Sequence, residues 1–229
     1  MRYFFLVTSA ICAFSSFCYP IDGRVAARGI EYVEQDELPY DSEVEYIESK
    51  GTQYIDTGVI AQDGITASIT VLRTTRTTNE SFLGGTGSSD SRNWLAYSFS
   101  NHWYAGYGND QADPKYEAQT NVVTTIETEL VPHYCRYFID GEYAYQRRYT
   151  NSGFYSGVSI CMFAMGKNTA PDAKARGRIY RCMIFYYGEL VRDFIPVRKH
   201  GIGYMYDNVT GELFGNNGTG EFIIGPDVH

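Results

Sequence analysis

From about residue 44 onward, apolar positions come in short runs in which polar and apolar residues tend to alternate. The runs are rich in β-branched and aromatic types, as in Tyr134-Cys135-Arg136-Tyr137-Phe138-Ile139 and Leu190-Val191-Arg192-Asp193-Phe194-Ile195-Pro196-Val197. This is the pattern of antiparallel strands, not of helices. It predicts strands over 45–48, 53–57, 65–72, 81–83, 94–99, 103–106, 122–130, 134–139, 142–145, 160–164, 179–186, 190–197, 203–206, 212–214 and 222–224. Only 171–176 has the makings of a helical turn. Asp140-Gly141 is a two-residue hairpin signal, because a type I′ turn needs positive φ at both central positions. So many short strands leave a two-sheet sandwich or a closed barrel. Uneven strand lengths, a long loop over 106–119 and Pro196, which suits a strand edge or end, favour the sandwich. The expected fold is all-β, a two-sheet antiparallel jelly roll.

The chain has 229 residues, enough for one large β domain, and its 21 Tyr and 13 Phe supply much of the core. A formal net charge of -8 excludes nonspecific nucleic-acid binding, which needs cations to neutralise phosphates, and disfavours anionic lipid. A neutral sugar or a protein remain as partners. Met1-Arg2 followed by an apolar run to Phe17 resembles a secretory signal peptide; the run is shorter than the roughly 20 apolar residues of a membrane span. Cleavage is expected after Cys18, with Ala27 as the later alternative. The product would be secreted or held at the cell surface, with no membrane span in the mature chain. Residues 19–43 read as a polar, acidic linker and 44–229 as the domain. Cys135, Cys161 and Cys182 remain, an odd set without metal spacing. One pair could form a disulfide in an oxidising compartment, but each lies in an apolar, strand-like run and reads as a buried thiol.

The block Ala175 to Phe185, then Leu190 to Arg198, then Gly203 to Phe214, resembles the end of LamG-like domains of the concanavalin A-like lectin/glucanase superfamily. The opening segment Glu45 to Gly58 and the central Tyr137-Phe138-Ile139-Asp140-Gly141 are similar to the same domains. The resemblance implies a curved jelly roll whose first and last strands lie side by side. It does not imply one activity, since such folds serve as lectins, hydrolases, adhesion modules and spacers. Superfamily members that cleave β-glucans carry E-x-D-x-x-E on one strand, and no strand segment matches it.

The candidate chemistry is that of binding. A sugar lays its C–H face on an aromatic ring while polar side chains hold its hydroxyls. Trp94, Tyr97, Asn101, His102, Trp103, Tyr104 and Tyr107 crowd one segment. Trp94 is assigned to the core, and Trp103, with Tyr104, Asn101 and Tyr107, to a ligand face. Asn109, Asp110 and Asp113 lie in a Gly-rich loop that could hold calcium through oxygen ligands; no other cofactor is implied. Glu127 and Glu129 share one face of a predicted strand, roughly 6.5–7 Å apart along the backbone. They are the acids a glycan hydrolase would use. Adjacent Arg192 and Asp193 must face opposite ways, so Arg192 or Arg198 is expected to bond loop carbonyls or an acid such as Asp207. The reading is a secreted, non-catalytic module for a carbohydrate or cell-surface protein. A hydrolase and a structural or adhesive spacer are the alternatives.

Overall fold

A computed structural model describes residues 38–77, 79–89, 91–112 and 116–228, with the backbone alone at Trp94 and 110–112. The signal-peptide segment 1–18, most of the linker over 19–43 and Asp113 lie outside the described residues. The strands are β1 (Ser42–Glu43), β2 (Ile47–Lys50), β3 (Ile55–Gln62), β4 (Ile65–Arg73), β5 (Glu80–Ser88) and β6 (Ser91–Phe99). Then come β7 (His102–Gly108), β8 (Asp110–Ala112), β9 (Val123–Val131), β10 (Tyr134–Ile139), β11 (Glu142–Arg148) and β12 (Tyr155–Met162). The last are β13 (Met165–Lys167), β14 (Arg176–Tyr186), β15 (Glu189–Lys199), β16 (Ile202–Asp207), β17 (Glu212–Phe214) and β18 (Ile223–Ile224).

They form two sheets. The larger runs β11-β10-β9-β4-β14-β15-β16-β17, with β1 against β15 and β2 pairing both β14 and β18; the smaller runs β3-β12-β5-β6-β7-β8, with β13 beside β5. The ladders are antiparallel apart from β5 with β13. The expected all-β sandwich is the observed fold. Alternation along each strand sends Ile47, Ile69, Val71, Ile126, Ile179, Phe194 and Met205 of the larger sheet against Ile55, Phe82 and Ile160 of the smaller, all at most 3% exposed. Each such side chain contributes about 1.5–3 kcal/mol on burial.

Asp140 and Gly141 have φ of 51° and 79° and join β10 to β11 in the predicted turn. β2 pairs β18 through Ile47 with Ile224, so the first long strand and the last lie side by side. Two expectations are corrected. No helix occurs among the described residues: at 171–176 the backbone groups find sheet partners instead, with Met165 and Asp172 exchanging hydrogen bonds of 2.8 and 3.1 Å and Ser81 N–H donating to the Ala173 carbonyl at 2.7 Å. The compact unit also begins earlier than Val44. Ser42 and Glu43 add to the edge of β15, and the Tyr40 ring meets Tyr206 edge-on at 5.0 Å. Edge pairing offsets the ordering entropy that an isolated acidic segment could not meet.

The three thiols are free and buried. Burial pushes Cys135 and Cys161 up to about 12 and raises Cys182 as well, so all stay protonated at neutral pH. Among the described residues no helix is long and apolar enough to cross a membrane.

Candidate functional site

β6 and β7 form a hairpin closed by Ser100 and Asn101, with φ of 48° and 62° between the paired Phe99 and His102. These are the two positive values of a type I′ turn. Asn101 therefore serves the turn, and its carbonyl accepts the Ala118 N–H at 2.7 Å; it is not part of a ligand face.

Alternation along β7 sends Trp103, Ala105 and Tyr107 into the core and leaves Tyr104 on the other side. Trp103 is 3% exposed, edge-on to Phe82 at 6.0 Å and under the Arg73 guanidinium at 5.8 Å, so it cannot be an open platform. Tyr107, also 3% exposed, donates its hydroxyl to Asp63 Oδ1 at 2.6 Å and accepts from Gly64 N–H at 2.7 Å. Burial, reinforced by Asp63, raises its pKa. Of the four residues expected on the ligand face, only Tyr104 lies there.

The face it joins depends on an irregularity in β6. Trp94 pairs Gly106 while Tyr97 pairs Tyr104, so three steps of β6 oppose two of β7, and Ala96 takes φ of 54°. Such a bulge reverses the phase of the alternation. Arg92, an odd number of residues from Tyr97, consequently shares a face with Tyr97, Phe99 and Tyr104. A groove of about 600 Å³ opens over these four residues.

Phe99 and Tyr104 are edge-on at 5.7 Å. The Tyr97 hydroxyl donates to Asn79 Oδ1 at 3.0 Å. Burial raises the Tyr97 pKa, with Asp172 adding to it. On the opposite bank, Lys167 Nζ donates to Asp172 Oδ2 at 2.6 Å. Arg92 forms no ion pair among the described residues. Rings with hydrogen-bonding groups at their edges can hold a ligand that is apolar on one face and polar at its rim.

The other candidates are engaged elsewhere. Asn109 exchanges hydrogen bonds with Thr150, donating at 2.8 Å to its hydroxyl and accepting at 3.3 Å from its N–H. The rest of the calcium proposal falls on the Asp110 side chain and on Asp113, outside what is described. Among the described residues no group of three or more His, Cys, Asp or Glu is placed to hold a metal. Glu127 accepts from the Ser68 hydroxyl at 3.1 Å and Glu129 pairs with Arg136 at 3.3 Å, both on the larger sheet. The Trp94 side chain is not among those described. As expected, Arg192 donates to the Val191 and Thr57 carbonyls at 2.8 and 3.3 Å and pairs with Asp207 at 3.5 Å; Arg198 pairs with Asp227 at 2.8 Å.

Sequence reasoning singled out Tyr97 but assigned it no role, and passed over Arg92, Phe99, Asn79, Lys167 and Asp172. The strict alternation over 103–107 was a signal that Trp103 and Tyr104 must part; nothing comparable announces the bulge at Ala96.

No family model matches the chain, and no curated protein matches it. Solved structures do. One is a protein of Bacteroides ovatus ATCC 8483 described as carbohydrate binding, with 11% identity and a TM-score of 0.59 over 80% of this chain and 60% of that one. Another is the Ruminococcus gnavus IT-sialidase CBM40 bound to α2,3-sialyllactose, with 16% identity and a TM-score of 0.50 over 63% of this chain and 92% of that one. The chain thus spans 60% of the first structure's length. At these identities the likeness is one of fold, shared with proteins described as binding carbohydrate and not as catalytic domains.

Proposed function

We propose that this chain is a non-catalytic carbohydrate-binding module and that the groove over β6 and β7 receives the sugar. The observation that carries the reading is the convergence of Tyr97, Phe99 and Tyr104 on one open face, bordered by Asn79, Arg92, Lys167 and Asp172. Rings take the C–H face of a pyranose, and the polar border takes its hydroxyls. The carbohydrate-binding descriptions of the fold neighbours support this, and so does the resemblance to LamG-like domains.

Arg92 refines the ligand. The whole chain is acidic, which points to a neutral sugar, but the groove holds a guanidinium with no carboxylate of its own. Guanidinium and carboxylate pair in a bidentate fork, so a carboxylate-bearing sugar is the preferred occupant. The neighbour that holds sialyllactose is consistent with that choice. Such a module works outside the cell, in keeping with the signal-like start of the chain.

A glycan array carrying matched neutral and acidic sugars tests the proposal. Retention of acidic glycans is expected, with Tyr97→Ala lowering it about tenfold, the scale of one aromatic contact. A folded chain that retains no glycan refutes it.

A further inference from the structure

Beside the groove lies a second hollow of about 360 Å³, lined by Tyr54, Asp56, Ser159 and Thr169 and sharing Lys167 with the first. The segment 165–173 borders both: Met165, Asp172 and Ala173 face the groove, while Gly166, Thr169 and Pro171 face the second hollow. We infer that the binding surface crosses the Lys167–Asp172 pair into a second sugar subsite built on Tyr54, so that the ligand is an oligosaccharide occupying both hollows. The inference rests on the carbohydrate reading above and extends it.

The ridge between the hollows is narrow and low. β13 contributes only Met165 to Lys167, and at Gly166 any Cβ would strike the carbonyl oxygen of Ser159, so the strand lies close on β12. A larger residue would lift it and wall the hollows apart. The ion pair across the ridge, at 2.6 Å, has side chains 38% and 52% exposed, which leaves its remaining hydrogen-bonding capacity facing solvent.

The second hollow repeats the chemistry of the first. Tyr54 is half-buried and its backbone is held from both sides: its N–H donates to Asn216 Oδ1 at 3.2 Å and its carbonyl accepts the Asn217 N–H at 2.8 Å. The ring is therefore fixed before any ligand arrives, and Lys174 Nζ lies 5.4 Å from its centroid. Asp56 spends one carboxylate oxygen on Gly58 N–H at 2.9 Å, leaving the other for a ligand hydroxyl. The exposed Thr169 hydroxyl adds a further donor and acceptor. A ring with a carboxylate and hydroxyls at its edge is again a sugar site, and a chain lying over Lys167 would satisfy both halves at once. Linked subsites raise affinity without any change in either one.

Calorimetric titration of the full chain with oligogalacturonides and α2,8-linked oligosialic acids of one to about six units tests this. In the series that binds, affinity should rise about tenfold or more between the monomer and the longer members, with one oligomer per chain. Tyr54→Ala should abolish the rise and leave monomer binding unchanged, and Thr169→Val, a milder change at an exposed position, should reduce it. Equal affinity at every length, two ligands per chain, or a rise that survives Tyr54→Ala in a folded protein would overturn the second subsite while leaving the groove intact. Binding of no member at all would count against the acidic-sugar reading itself.

Discussion

Asp207 and Arg92 are both charged residues on strands of one sandwich, and their surroundings differ in the way that separates structure from function. Asp207 is fully buried and saturated: it accepts the N–H groups of Asp193 and Val209 at 2.8 and 3.1 Å and the Thr210 hydroxyl at 2.8 Å, with Arg192 at 3.5 Å. Asp193, beside it, takes a two-pronged grip from Arg181 at 2.9 and 3.0 Å and a bond from Asn208 at 3.1 Å. Burying a carboxylate costs several kcal/mol unless its lone pairs are met, and here they are met within the fold. Arg92 stands at an open groove with no carboxylate partner among the described residues. The β15–β16 region uses its charge to close the sandwich, whereas the β6–β7 region holds charge in reserve for a ligand.

The contrast yields predictions in descending order of effect. Asp207→Ala should cost about 3–5 kcal/mol in urea unfolding, because it leaves a guanidinium and several donors unmatched, yet the fraction that folds should bind glycan normally. Trp103→Ala should cost about as much, through a cavity beside Phe82, although Trp103 neighbours Tyr104 in the chain. A small loss of stability accompanied by loss of binding would restore Trp103 as a ligand platform. Tyr97→Ala reverses the pattern, with about 1 kcal/mol or less of stability lost and about tenfold of affinity. Arg92→Gln should leave stability and neutral-glycan binding alone and remove the preference for acidic glycans, an effect also obtained by raising the salt concentration.

The smallest effect is a pH signature of the closed region. Burial pushes the Asp193 carboxyl up, but the hydrogen bonds from Arg181 and Asn208 outweigh it and hold the group below its ordinary value. A depressed pKa gives stability that is present above the unfolded value of about 3.9 and is lost as pH falls through the folded one. Arg181 is half exposed and screened, so Arg181→Gln should cost only about 0.5–1 kcal/mol at pH 7. The deficit should vanish below about pH 4, which paired urea titrations across pH would show. A deficit that persists unchanged at low pH would mean Arg181 acts through packing alone.

The closed region was the more legible in sequence. Alternation and turn residues marked its strands, Asp140-Gly141 marked a hairpin, and the opposed Arg192 and Asp193 implied the ties that Arg192 makes. These features are local, and period two carries them. The groove was less legible because it depends on register. One extra residue near Ala96 changes which side chains share a face, and no composition rule locates it. Its far bank comes from 165–173, read partly as a helical turn, whose conformation is set by pairing with β5 and Ser81 instead of by its own propensity. Trp103 was chosen for size when the alternation favoured Tyr104.

The most direct test is a titration of the isotope-labelled chain with 3′-sialyllactose, followed residue by residue through backbone amide NMR shifts. The account predicts shifts concentrated on Arg92 to Tyr104 and on 165–173, saturable, and absent with Tyr97→Ala. Shifts centred on Asp207 to Thr210 or on the Glu127 face of the larger sheet, or none at millimolar ligand, would contradict it.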